Sequence, residues 1–288
     1  MNSLMGQVAT GQVTDENEQN YFVQLEDGNT YRLDKAEIKK PLKLKSVFKG
    51  FAYENNSHNK QITRTAPNVR IGRYGWSKVV SSRRDLGVFV DIGLSNKDIV
   101  VSLDNLPTEK KLWPKTGDKL LVRLDVDDKD RMWAIPADSN VFQKISLSAK
   151  PEMKNKNITA TSYRLKMSET LIITDHNNLG FIHPSERDVE PRLGQSLRGR
   201  VISVGTDGVL NVSLKPRSYE AIGDDASMLI ALLEHDPNHH LKLNDHSSPE
   251  DIKNVVGLSK SQFKRALGHI LKTGSIIQDE TGISLKEQ

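Results

Sequence analysis

Short apolar runs in this chain repeatedly leave an aromatic side chain on the face opposite the core. Val88, Val90 and Ile92 alternate with Phe89 and Asp91; Tyr21, Val23 and Leu25 alternate with Phe22 and Gln24; Phe181 and His183 flank Ile182. A strand has a side-chain period of two, so Phe22, Phe89, Phe181 and His183 point away from the apolar side. An exposed ring of this kind can stack on another flat ring, such as an unpaired nucleobase, for about 1–3 kcal/mol each. Arg198 and Arg200, downstream of Phe181 and His183, would then meet phosphates. Trp76 is a further stacking candidate, whereas Trp113 and Trp133 read as packed rings. A second basic set, Lys260, Lys264, Arg265 and Lys272, lies on or just after a helix-periodic segment, the place from which helical readers contact duplex DNA.

Other chemistries find no support in the sequence. His235, Asp236, His239, His240 and His246 lie close together, but Pro237 breaks the helical relation of His235 to His239, and the stretch reads as a solvated loop. No HExxH, P-loop, nucleophile elbow or two-metal set of carboxylates occurs, so no catalytic residue, cofactor or metal is expected. The many Asp residues sit in turns. With no cysteine among 288 residues, disulfides and thiolate sites are excluded, which fits a reducing cytoplasm. The first residues lack the pattern of a signal peptide and no eighteen apolar residues run together, so no membrane partner is expected.

Turn chemistry and composition divide the chain into four pieces, 1–66, 67–147, 148–217 and 218–288. Their net charges are +1, +3, +4 and −4, from 9 basic and 8 acidic residues, 14 and 11, 11 and 7, and 7 and 11. The first three share short β-branched runs separated by Gly, Asn and Asp. In the second, Leu120, Val122, Leu124 and Val126 alternate with Leu121, Arg123 and Asp125 before Asp127–Arg131 turns into a last strand. Five short strands in about seventy residues is the content of a partly open Greek-key barrel of OB type.

The fourth piece switches to helical periodicity. A helix from near Ser218 to Glu234 would offer Met228, Ile230, Leu232 and Leu233 to a core. Ser248–Asp251 caps a short helix with Ile252, Val255 and Val256 as its apolar stripe. Gly257-Leu258 ends it, and Ser259–Gln262 is a capping box opening a helix with Phe263, Leu267, Ile270 and Leu271. A hairpin over 276–285 completes a winged helix-turn-helix. The expected fold is therefore mainly β with a C-terminal α+β domain.

Gly180–Glu186, Gly194-Gln195 and Asn211–Leu214 resemble the motif stretches of the S1 domain, the RNA-binding repeat of ribosomal protein S1. The second piece is similar through Gly87–Val90, Gly117-Asp118 and the Asp127 and Arg131 pair, with Val101 read at the family's histidine position; the first is a weaker copy. In the third piece Leu171 stands where the family often has phenylalanine, and Gly205 and Val209 replace the Asp and Arg of the second. Three such repeats before a small helical domain resemble the conserved virulence factor B family (CvfB, YitL-like). The resemblance implies an RNA-binding regulator of gene expression, and places Asp127 and Arg131 near an RNA face. The expectation is thus a cytoplasmic, non-enzymatic protein that binds single-stranded RNA through three S1-type barrels, with no assigned oligomeric state. A DNA-binding regulator acting through the winged helix, or an accessory subunit of an RNA-processing complex, is the alternative.

Overall fold

The alternation read from the sequence is carried by fifteen strands in three closed rings, seen in a computed structural model that describes residues 4–216 and 221–286. Barrel 1 is built from β1 (Val8–Glu16), β2 (Asn20–Leu25), β3 (Thr30–Asp34), β4 (Val47–Glu54) and β5 (Lys60–Thr63). Barrel 2 uses β6 (Gly75–Arg83), β7 (Gly87–Asp91), β8 (Ile99–Ser102), β9 (Lys119–Val126) and β10 (Met132–Pro136). Barrel 3 uses β11 (Asn157–Lys166), β12 (Glu169–Thr174), β13 (Leu179–Ile182), β14 (Ser196–Val204) and β15 (Leu210–Ser213). In each ring the first three strands follow one another, the third pairs in parallel with the fifth, and the fourth closes against the first.

The local devices repeat as well. The first strand carries a bulge at the same place in every ring, leaving Thr14, Val80 and Tyr163 unpaired. The turn before the fourth strand docks its backbone N–H onto that bulge: Lys45 to the Val13 carbonyl, Gly117 to Val79 and Gly194 to Ser162, at 2.7, 2.9 and 2.8 Å. All three residues have positive φ. Glycine accepts that at little cost, whereas Lys45 carries a strain of about 1–2 kcal/mol.

The barrels in the unit formed by residues up to Leu214 are not beads on a string. Phe51 and Tyr53 point outward from β4 and are buried in the core of barrel 2 with Val69, Ile92 and Leu94. Between barrels 2 and 3 runs α1 (Ser139–Ile145), capped by Asp138, whose Phe142 meets Leu121 and Ile173 in a small separate core. Leu121, on the outer side of β9 by parity, is thereby buried. The pair Asp118–Arg192 (3.1 and 3.2 Å) and the bond from Lys119 N–H to the Gly194 carbonyl (2.9 Å) bring the two equivalent turns together.

The second unit, described from Lys215 to Lys286 apart from 217–220, is the winged helix. It contains α2 (Ala221–His235), β16 (His240–Leu241), α3 (Pro249–Val256), α4 (Lys260–Thr273), β17 (Ile276–Gln278) and β18 (Ile283–Leu285), with sheet order β16–β18–β17. Ser248 caps α3, Gly257 ends it in the left-handed conformation, and the Ser259–Gln262 capping box is complete. Residues 218–220, where the first helix was expected to begin, lie outside the described residues. Four core assignments need correction. Leu229, Leu233 and Ala226 fill the core from α2, while Met228 and Leu232 are exposed; Val255 and Leu271 likewise face outward. A run with apolar residues on several sides does not reveal which stripe the neighbouring helices will cover. No helix among the described residues is long and apolar enough to cross a membrane.

Candidate nucleic-acid interface

Cross-strand register lines up one outer rung on each barrel. In barrel 2 it runs Ser81–Phe89–Val100–Trp133–Asp125 across β6, β7, β8, β10 and β9. Phe89, Val100 and Trp133 are half-buried neighbours on the outside of the ring, while Val88, Val90, Val101, Met132 and Ala134 fill its inside. Arg131 lies over the Trp133 ring, 5.4 Å from its centre. Asp127 holds both groups: its carboxylate accepts from Arg131 Nε (2.8 Å) and Trp133 Nε1 (3.0 Å), and from the Lys129 and Arg131 backbone N–H groups. The Arg131 hydrogen bond, with the Trp133 and backbone donors, keeps the Asp127 carboxyl well below the usual carboxylate range. The Asp127–Arg131 pair is thus a turn salt bridge that also positions an aromatic ring and a cation.

Trp133 was missed as a surface ring. Its signal was the parity of Met132 and Ala134, weaker than a branched apolar run. A second correction concerns the position of the family histidine: Val101 points into the core, and Ser102 is the counterpart of His183, each capping the one-turn helix that follows its strand.

In barrel 3 the rung reads Arg164–Leu171–Phe181–Asn211–Ser203. Phe181 is half-buried and His183 exposed. His183 Nδ1 accepts from the Ser185 backbone N–H (3.2 Å) and lies 2.7 Å from the Ser185 hydroxyl, which fixes the ring over the one-turn helix it caps. Arg200 sits opposite Ser213, one outer position along β15 from Asn211, but Arg198 lies opposite Thr159 of β11, away from Phe181. The expected platform therefore has Arg200 beside it and not Arg198. Arg200 Nε and Asn211 Oδ1 are buried without hydrogen-bond partners.

Barrel 1 carries Asp15–Phe22–Arg32–Gln61–Tyr53. Phe22 and Arg32 remain accessible, but the far end is closed by Asn96 of barrel 2, which accepts from the Tyr53 hydroxyl (2.9 Å) and donates to Gln61 (2.9 Å). Burial pushes the Tyr53 phenol up to about 12, and burial with the Asp27 hydrogen bond raises Tyr31 further. In a spectrophotometric titration both phenols are expected to stay protonated at about pH 11, where exposed tyrosines have ionised. The folded chain keeps protons that the unfolded chain releases above about pH 10, so stability falls as pH rises from there through the folded values. Tyr53→Phe should lessen that fall; an unchanged pH profile would contradict the sealed seam.

On the winged helix, Lys264, Arg265 and Lys272 are exposed and Lys260 is half-buried. Arg265 acts electrostatically on Asp225 of α2, whose pKa is raised chiefly by burial. The histidines have local roles: His239 Nδ1 pairs with the Leu233 carbonyl and His240 Nδ1 with the Ser284 hydroxyl.

Three closed barrels with this topology and a winged helix define a multidomain protein assembled from nucleic-acid-binding folds. Residues 5–65 match the S1 domain, 74–135 the CvfB first S1-like domain, 142–216 the second domain of virulence regulatory factor CvfB, and 227–285 the CvfB-like winged helix domain. The chain belongs to the conserved virulence factor B family. It is 38% identical to the Bacillus subtilis protein YitL over 275 residues, covering 95% of this chain and 91% of that one. It is 34% identical to conserved virulence factor B of Staphylococcus epidermidis over 266 residues, covering 91% and 88%. A crystal structure of a Streptococcus pneumoniae multidomain protein with nucleic acid binding domains superposes with a TM-score of 0.72 at 47% identity, covering 99% of this chain and all of that one.

Proposed function

We propose that the chain is a post-transcriptional regulator that binds single-stranded RNA across its barrels and does not cleave it. The observation that carries this reading is the Phe89–Val100–Trp133 rung with Arg131 laid over its tryptophan: flat rings beside a fixed cation on the outside of a closed barrel. Such a surface suits unstacked bases with a phosphate alongside, and a duplex keeps its base faces hidden. Duplex readout by the winged helix has less support, because residues 218–288 carry −4 overall and Arg265 acts on Asp225. The three barrels carry different rungs, so the reading is of a composite path with weak base preference. Its effect in cells would be on the expression of other genes, in keeping with the description of the family matched by residues 142–216 as a virulence regulatory factor.

A titration at two salt concentrations tests it. The intact chain should bind a single-stranded RNA oligomer more tightly than duplex DNA of equal length, with affinity falling steeply as salt rises. End-labelled RNA should survive incubation with magnesium, manganese or zinc. Tighter duplex binding would transfer the function to the winged helix, and cleavage that co-elutes with the protein and is lost on replacing an acidic residue would make it an enzyme.

A further inference from the structure

The outer rung of barrel 3 does not end at Leu171. It continues to Arg164, which bonds to the Ser139 hydroxyl at the start of α1 (2.9 Å) and lines a cleft of about 400 Å³ with Trp76, Lys119, Leu121, Phe142 and Tyr163. A second hollow of about 390 Å³ is also bordered by Trp76 and Lys119, together with Lys78. Both volumes fall in the range of about 300–1,000 Å³ typical of small-ligand sites.

Three rings form a series through the cleft. Tyr163 stacks on Phe142 at 4.0 Å, and Phe142 meets Trp76 at 6.1 Å with the planes tilted by 58°. The last ring is open, since Trp76 is 42% exposed. Next to it, Lys78 and Lys119 stand directly opposite each other on β6 and β9, and neither forms an ion pair with a described residue. Like charges facing each other across a ladder are destabilising unless an anion lies between them. An exposed indole beside two ammonium groups, neither of them ion-paired although Asp175 borders the same hollow, has the chemistry of an aromatic platform with a phosphate rest.

We propose that this cleft between barrels 2 and 3 is a separate nucleobase site of the single-stranded path. A strand leaving the face of barrel 3 by way of Arg164 places one unpaired base against Trp76 and its phosphate on Lys78 and Lys119. The proposal rests on the single-strand reading above and adds to it a site outside the outer rungs. Because the contacts are ring faces and flexible cations, the site accepts any base.

The test uses the intact chain and an oligouridylate of about twelve nucleotides carrying a central 4-thiouridine, long enough for more than one barrel. Trp76→Leu should weaken binding about tenfold or more, while Trp76→Tyr, which keeps a ring, should stay within about threefold of the unsubstituted chain. Photocrosslinks should map to the peptide containing Trp76. Lys78→Gln with Lys119→Gln, on an exposed surface, should lower the slope of log affinity against log salt by about 1.4, the loss of two phosphate contacts. If Trp76→Leu and Trp76→Tyr both bind like the unsubstituted chain while Phe89→Ala with Trp133→Ala does not, the cleft proposal falls and the proposed function stands. Equal losses in Trp76→Leu and Trp76→Tyr would show that Trp76 only packs on Phe142, which also overturns the proposal. If the unsubstituted chain does not bind the oligomer, both readings fall.

Discussion

Phe89→Ala combined with Trp133→Ala should reduce affinity for a single-stranded RNA oligomer by roughly 2–6 kcal/mol, taking about 1–3 kcal/mol for each stacked base. The effect is expected to be this large because the two rings flank Val100 on one rung, and losing both leaves an aliphatic strip that cannot stack. Truncating a ring can also lower binding by unfolding the protein, so the thermal midpoint is the control. Both rings are half-buried on the outer face, with the core filled by their neighbours, and the midpoint should move by only a few degrees. Lys260→Ala with Lys264→Ala provides the comparison. Those lysines would contribute phosphate contacts alone, in a domain of net charge −4, so their loss should appear mainly as a shallower salt slope. A greater loss of affinity from the lysine pair than from the aromatic pair would place the nucleic-acid contact on the winged helix. Unchanged affinity in the aromatic variant would leave barrel 3, with Phe181 and His183, as the contacting face.

The second large effect is expected at the junction of barrels 2 and 3, where two equivalent turns permit a matched pair of substitutions. Gly117 and Gly194 both have positive φ, 97° and 78°. A Cβ added at Gly117 would meet nothing within 4 Å, whereas one at Gly194 would lie 2.7 Å from the Lys119 carbonyl oxygen and 3.0 Å from Leu120. Gly117→Ala should therefore cost only the left-handed conformation, about 1–2 kcal/mol. Gly194→Ala adds a backbone clash across the seam that also holds Asp118 to Arg192, a further 1–3 kcal/mol or so. For a unit of this size the total corresponds to a fall of roughly 5–15 °C in Tm, against a few degrees for Gly117→Ala. Equal midpoints would mean that the seam yields freely and does not fix barrel 3 against barrel 2. In that case the cleft beside Trp76 has no fixed shape either.

The identity of the rings and their inward faces was legible from side-chain parity. Val88, Val90, Val23 and Ile182 all point into their barrels, as a two-residue period demands, and the caps at Ser248, Ser259 and Gly257 stand where their residue types require. These features are local: a strand's period, an N-cap's hydrogen bond and a glycine's φ each depend on a few adjacent residues. Even the error at Val101 was local, a displacement of one residue that the buried face of β8 corrects.

Parity says which side chains point outward, but not what lies over them. Phe51, Tyr53 and Leu121 are outward on their strands just as Phe89, Trp133 and Phe181 are, yet the first three are buried by a neighbouring barrel or by α1 and the second three are not. The same holds for α2, where Leu229 rather than Met228 is covered. Covering an outer face takes residues far apart in the chain, such as Asn96 against Tyr53 and Gln61, or Arg192 against Asp118, and no periodicity within a segment records such partners. Local patterning along the chain is enough to specify three barrels, a winged helix and the composition of their faces. Which of those faces remain open to a ligand depends on how the barrels dock, through contacts between residues distant in the chain.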